Sequence, residues 1–430
     1  DPKNGPRTCT NNLLPGSNSS TVKAFGKFYY RIEQFQADNV TKVDISAPNT
    51  PIWQYSTQDV GEVSSSNPHD LVFVNSTKAY LIRYGSKKAW IVNPSATSEA
   101  GFKIGELDLS AYADADGLPE MCCGVIANNK LFIVMQRLVD WCSSEIAYVA
   151  VFETETDTEI NTGMGSGSMK GVPLTIKNPN SIQYIAENNR IYIQGSGAYP
   201  GGPCDPGYEY TGGIESLNPV TYASSMILDD GDAESHPYGA INGMLIASST
   251  KGYFVGYAVW GDNTLYSFNP STGVVTGALE GFSNINLGDL DFDKNEMLWV
   301  CDLSNSAVKI VDTIDNTLNE TINTDLNPRK IAFCTQQLTS YVEAGGVCGN
   351  KSPCYTSIQT AIDEAVTGTY IMTAGGTYSE AITLYDSKIL TLQGRWDVDF
   401  ENQNTQTILR QAPKVEQGSL TLQMLSIKPE

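Results

Sequence analysis

Gly243-Met244-Leu245-Ile246, Gly252-Tyr253-Phe254-Val255 and Thr264-Leu265-Tyr266-Ser267-Phe268-Asn269-Pro270 form one unit, and its reading decides the fold. A short apolar strand is followed by an aromatic-rich strand, then by an alternating strand that runs into an Asn-Pro turn. Alternate side chains of a strand face opposite sides of a sheet, and Asn bonds its own backbone two residues on, so this pattern reads as strand and turn. The unit recurs. Its alternating strand reappears as Ala89-Trp90-Ile91-Val92-Asn93-Pro94, Gly213-Ile214-Glu215-Ser216-Leu217-Asn218-Pro219 and Ala307-Val308-Lys309-Ile310-Val311-Asp312. The turn residues Asp44, Asn93, Glu153, Asn218, Asn269 and Asp312 lie 43 to 65 residues apart. Aromatic strands precede them, as in Lys27-Phe28-Tyr29-Tyr30 and Arg190-Ile191-Tyr192-Ile193, and a third apolar strand lies further upstream.

Six copies of a four-stranded unit at roughly 40–50 residues, stretched by loop insertions, indicate an all-β, six-bladed β-propeller. A seventh blade would have to hide in 155–180 or 195–240. The first copy, residues 26–58, lacks an upstream strand, whereas Asn327-Pro328-Arg329-Lys330-Ile331-Ala332-Phe333-Cys334 reads as an innermost strand with no partners after it. Joining the two would complete a blade from both chain ends and remove the exposed edges of a linear array. The expected organisation is an N-terminal extension (1–20), a propeller closed by strands from both ends (21–335) and a separate C-terminal segment (336–430).

In that last segment the period changes. Ser357-Ile358-Gln359-Thr360-Ala361-Ile362-Asp363-Glu364-Ala365-Val366 places apolar residues at 358, 361, 362, 365 and 366, the stripe of an amphipathic helix with a Ser or Thr cap. Strand-like pieces follow at 369–373, 380–384, 388–394, 406–409 and 419–427.

The 430 residues carry 27 Lys+Arg against 48 Asp+Glu, a formal charge of −21. Phosphates and anionic lipid surfaces repel such a chain, so nucleic acid is not an expected partner. No apolar run reaches 18 residues, so no membrane span is expected. The opening residues lack a charged-then-apolar pattern, and an export signal is expected to have been removed before Asp1. Nine cysteines with two histidines and no Cys-x-x-Cys do not suggest zinc; they fit an oxidising, extracellular or cell-surface location. Cys348 and Cys354 close a short loop and are expected to pair; Cys122 or Cys123 is a partner for Cys142 one hairpin away. Asn18, Asn39, Asn75, Asn319 and Asn350 begin glycosylation sequons.

The Asn-Pro-x-Thr turns at Asn218 and Asn269, with Asn327–Phe333, resemble those of bacterial surface propellers of the YVTN type over residues 20–334. Cys354-Tyr355-Thr356-Ser357-Ile358-Gln359, Gly376-Thr377-Tyr378-Ser379-Glu380 and Leu392-Gln393-Gly394-Arg395-Trp396 resemble the cap and first coils of pectate-lyase-like right-handed parallel β-helices over 341–427. The resemblance implies a short parallel β-helix with one capping helix. Such solenoids continue for many coils, and this one stops after about three. A second copy covering the last coil would give a homo-oligomer or a filament.

Catalytic constellations are sparse: there is no Gly-x-Ser-x-Gly elbow, no phosphate-binding Gly-Lys-Ser/Thr loop and no haem motif. No cofactor is expected except calcium. Residues just before the innermost strands ring one mouth of a propeller, and six-bladed lactonases hold a catalytic calcium there. That likeness makes Glu120, Asn180, Asn242 and Asp289 candidate ligands, since oxygen donors suit calcium; Asn and Asp are equally plain turn formers. Asp289, Asp291 and Asp293 alternate along a strand, and Asp114-Ala115-Asp116-Gly117 is a fragment of a calcium loop. Tyr199, Tyr208 and Tyr210 on a Gly/Pro-rich insertion are candidates for binding carbohydrate or a protein. The leading expectation is a non-enzymatic extracellular scaffold whose C-terminal segment serves self-assembly or attachment. The alternatives are a calcium-dependent lactonase or hydrolase and a carbohydrate-binding or adhesion module.

Overall fold

The structure, a computed structural model, describes residues 7, 9–11, 13–198, 204, 209–334, 339–351, 353–365, 368–386 and 388–429. The chain divides into two units, 1–334 and 335–430.

The first unit is a six-bladed propeller. Each blade is a four-stranded antiparallel sheet whose strands follow one another in the chain: residues 20–56, 68–108, 121–173, 179–228, 240–278 and 287–323. The middle strands are buried on both faces, and alternate residues feed opposite neighbours. In Lys130–Met135, Leu131 and Ile133 join Tyr80 and Ile82 of blade 2, whereas Phe132 and Val134 join Ile191 and Ile193 of blade 4. Tyr253 and Val255 likewise pack toward Leu298 and Val300 of blade 6, and Phe254 packs toward Tyr192 of blade 4. This two-sided burial explains why the aromatic strands read as continuous apolar runs. Each fully buried large side chain contributes about 1.5–3 kcal/mol.

Closure differs from the expected exchange of strands. Blade 1 has its own innermost strand, Ser20–Phe25, paired with Phe28–Glu33 from Ser20↔Glu33 to Phe25↔Phe28. Residues 327–334 form no strand, because the edge they would have filled is already occupied. They run beside blade 6 instead: Ile331 N donates to Asp289 Oδ2 at 3.2 Å, and Phe333 meets Trp299 edge-on with ring centres 5.2 Å apart. From the other terminus, Arg7 pairs with Glu320 and lies over the Trp299 ring, and Asn11 donates to Asp325 at 2.9 Å.

The second unit is a stack of parallel strands. Thr339–Val342 lies between Cys354–Tyr355 and Tyr370–Ala374; Ile389–Trp396 and Ser419–Gln423 continue the same sheet. Two smaller parallel sheets carry the remaining pieces of each turn, among them Gly376–Tyr378, Thr407–Leu409 and Ser426–Ile427. Residues 358–364 form the expected helix, with Ser357 Oγ accepting from Thr360 N at 3.2 Å. It ends sooner than its apolar stripe suggests, because Ala365 turns to extended backbone. Ile358, Ala361 and Ile362 pack into one core with Val342, Ile371 and Leu384. The Cys348–Cys354 disulfide is present.

Candidate functional site at the propeller mouth

Asn67, Glu120 and Asn178 precede the innermost strands of blades 2, 3 and 4, and all three have φ between 45° and 48°. Asn tolerates that left-handed backbone because its short amide bonds locally; for Glu it is an uncommon conformation that the surroundings must enforce. They do so here. Glu120 is only 3% exposed, its carbonyl accepts from Gln136 N at 3.1 Å, and its Oε2 accepts from Leu138 N at 3.1 Å. The preceding turn is held by Asp114 N on the Leu118 carbonyl, Asp116 N on Asp114 Oδ1, and Leu118 N on Asp116 Oδ1.

Turn and strand together bring carboxylate oxygens of Asp114, Asp116 and Glu120 within 4.8 Å of one another. Asp114 Oδ2 is buried without a hydrogen-bond partner. Burial, reinforced by Asp114 and Asp116, pushes the Glu120 carboxyl up to about 8, and burial also raises Asp114. Glu120 therefore keeps its proton at neutral pH unless a cation displaces it. Three convergent oxygen donors suit the front half of a calcium shell, with water completing it. Next to this cluster, Tyr84 stacks on His69 (4.4 Å between centres) and Trp141 (6.5 Å). Burial drops His69 to about 4, so its ring is neutral at physiological pH.

The other expected ligands have different neighbours. Asn180 is exposed and donates to Ser196 Oγ at 3.0 Å. Asp289 pairs with Lys330 at 3.6 Å as well as accepting from Ile331. Asn242 lines a cleft bordered by Trp260 and Asn286. Asp293 is buried and holds its own turn, accepting from Asn295 N, Met297 N and Trp299 Nε1. Asp291 stays beside Asp289, and burial raises it to about 6. Asp230 is fully buried, accepts from Gly212 N, and rises to about 7 because it is desolvated. Across the inner strands, Lys23 reaches Asp70 Oδ1 at 3.0 Å while Asp70 Oδ2 accepts from Gly124 N at 3.1 Å, linking blades 1, 2 and 3.

The cysteine pairing is corrected at the same mouth. Cys142 bonds Cys204, not Cys122 or Cys123, and so ties a loop of blade 3 to a loop of blade 4. Cys122 and Cys123 are buried in the innermost strand of blade 3, in contact with each other and facing the core shared with blade 4. Cys142 lies on the mouth loop, out of that core, where a partner 62 residues on becomes its neighbour. Tyr210 stacks on His236 at 4.1 Å; Tyr199 and Tyr208 lie outside the described residues. Sequence reading missed the joining of Asp114 and Asp116 to Glu120, although their seven-residue span was a usable signal. For Cys204 there was none.

No protein family's sequence profile matches the chain, and no curated protein matches it. Solved structures do. Hydrazine synthase of Kuenenia stuttgartiensis is similar at 12% identity, over 77% of this chain and 93% of that one, with a TM-score of 0.53. A streptogramin B lyase is similar at 13% identity over 75% and 89%, with a TM-score of 0.52. Virginiamycin B lyase of Staphylococcus aureus follows at 10% identity over 76% and 91%, with a TM-score of 0.51. Identities this low carry the architecture and leave chemistry aside. The likeness carries the β-propeller fold, and the number of blades, six, comes from this chain's own sheets.

Proposed function

We propose that the chain is a non-enzymatic extracellular surface scaffold of the YVTN kind, whose C-terminal rungs are the first coils of a parallel β-helix used for assembly. Two disulfides support an oxidising location. Among the described residues no helix is long and apolar enough to cross a membrane. The observation that carries the reading is the asymmetry of the stack. Among the described residues the rung Ser419–Gln423 is paired on one side only, and Leu422, Met424 and Ile427 around it are 38%, 54% and 42% exposed. The core at the first-rung end is covered by the helix 358–364. An edge of this kind recruits another strand. With one end covered, the other is where a further coil of the same stack or a second copy adds, the second copy giving a homo-oligomer or a filament. Sedimentation of the 430-residue chain is expected to show a concentration-dependent homo-oligomer, and Leu422→Lys is expected to abolish it by placing a charge at the edge. A wild-type chain that stays monomeric at high concentration rejects the reading.

A second reading, calcium-dependent hydrolysis, is favoured by the Asp114–Asp116–Glu120 carboxylates. It requires one bound calcium, released protons from Glu120 on binding, loss of binding in Glu120→Gln, and lactone turnover that stops on chelation. Calcium binding without turnover discards the hydrolase and leaves the ion a structural part.

A further inference from the structure

A cleft of about 440 Å³ opens on the mouth side of the propeller between blades 1, 5 and 6. Its walls differ in kind from the carboxylate cluster. Trp260, at the tip between strands Gly252–Val259 and Asp262–Phe268, is 82% exposed and borders the cleft, with Gly261 at φ +82° making the tight turn behind it. Trp53 and Trp90, by contrast, are 9% and 3% exposed within the blade interfaces. A tryptophan left open beside a concavity offers a flat apolar face to a ligand that is itself apolar on one side.

Around that face stand neutral amides and two cations. Asn286 and Asn327 line the cleft, and each amide both donates and accepts. Asn327 Oδ1 is taken by Ser306 Oγ at 2.7 Å, which leaves its NH₂ group to donate. Arg329 and Lys330 are exposed on the same wall. Lys330 pairs loosely with Asp289 at 3.6 Å, and Arg329 makes no ion pair among the described residues. In a chain of net charge −21, two neighbouring cations beside a concavity select for an anion. A guanidinium is suited to holding a carboxylate through two parallel hydrogen bonds.

An apolar face, a rim of amides and a carboxylate-binding cation together match one ligand chemistry. A pyranose ring has a C–H face for an aromatic ring and vicinal hydroxyls for amides, and a uronic acid adds the carboxylate. We propose that this cleft binds an acidic saccharide: the ring on Trp260, hydroxyls on Asn286 and Asn327, the carboxylate on Arg329. The site lies wholly within residues 1–334 and stands independently of assembly through the C-terminal stack. It has a mechanical corollary. Asn18, Ser19, Ser20, Asn327, Arg329 and Lys330, which line the cleft, flank the junction between the first and last blades, so an occupant ties that junction shut and raises the thermal midpoint as any ligand of the native state does.

The test is calorimetric titration of the full chain with trigalacturonate, with maltotriose as a neutral control and inorganic phosphate as a charge-only control. Saturable binding of trigalacturonate that weakens with salt is expected, at least tenfold tighter than either control. Arg329→Gln is expected to cut affinity for trigalacturonate about tenfold and bring it level with maltotriose. Trp260→Ala, a surface truncation that disturbs no core, is expected to lower affinity at least as much. Absence of trigalacturonate binding overturns the proposal, as does unchanged affinity in both variants. Maltotriose binding equally well removes the acidic class, and phosphate displacing trigalacturonate from the wild type at equal concentration reduces the site to a bare anion patch.

Discussion

Five of the six junctions between blades are built one way, and the sixth is built another. Among the described residues, apolar clusters fill the junctions from blade 1–2 through blade 5–6, each drawing alternate side chains from facing strands. Where blade 6 returns to blade 1 no such cluster is found among the described residues, and chain outside the sheets packs on the blade 6 side: Arg7 on Glu320 and Trp299, Asn11 on Asp325, Phe333 on Trp299. Sheet-to-sheet burial draws on the hydrophobic effect over large areas, whereas the sixth junction depends on a few polar and aromatic contacts. The lesson is that a ring closed without an exchanged strand has one weak joint, and the cleft described above opens beside it.

Substitutions measure that contrast. Phe132→Ala, in the blade 3–4 junction where the side chain is fully buried, is expected to cost about 3–5 kcal/mol in equilibrium denaturation. Replacing Cys142 and Cys204 by serine removes the covalent tie between the same two blades and is expected to cost about 2–4 kcal/mol. Phe333→Ala, at the sixth junction, is expected to cost only about 1 kcal/mol, the worth of one edge-on aromatic contact. A loss as large as that of Phe132→Ala would erase the distinction.

A separate effect is readable in pH. Asp230 has a folded value of about 7, raised by burial above the ordinary carboxyl value of 3.8. The folded state therefore binds its proton more tightly than the unfolded chain does. Its contribution is fully present below pH 3.8 and is lost as pH rises toward 7. Thermal midpoints are expected to fall over that window in wild type, and Asp230→Asn is expected to flatten the slope. Smallest of all, Arg7→Ala is expected to cost about 0.5 kcal/mol, with the difference from wild type shrinking at high salt. An unchanged difference would mean that Arg7 acts by packing alone.

The blades were legible because strands buried on both faces must be apolar at consecutive positions, as in Lys130–Met135, and because Asn218 and Asn269 mark turns that such strands need. The strand Ser20–Phe25 was not. Its six residues are all half-buried, and Lys23, whose ammonium meets Asp70 of blade 2, interrupts the apolar run. With that strand unseen, Asn327–Cys334 took its place in the sequence reading, helped by a proline like those at Pro68 and Pro179. Of the candidate site, Glu120 was legible from its position before an innermost strand. Its partners Asp114 and Asp116 were noticed, but as a separate turn. Pairings between loops, Cys142 with Cys204 above all, follow from how neighbouring blades are set, which no local pattern encodes.

Because every blade is finished from its own uninterrupted stretch of chain, the ring can be laid down in order as the polypeptide emerges. Each completed sheet offers its exposed face as a template for the next, so most long-range encounters are between sequence neighbours. The terminal segments beside Trp299 then lock last. They are also expected to release first, and amide hydrogens of residues 287–323 should exchange before those of blade 3 under mildly destabilising conditions.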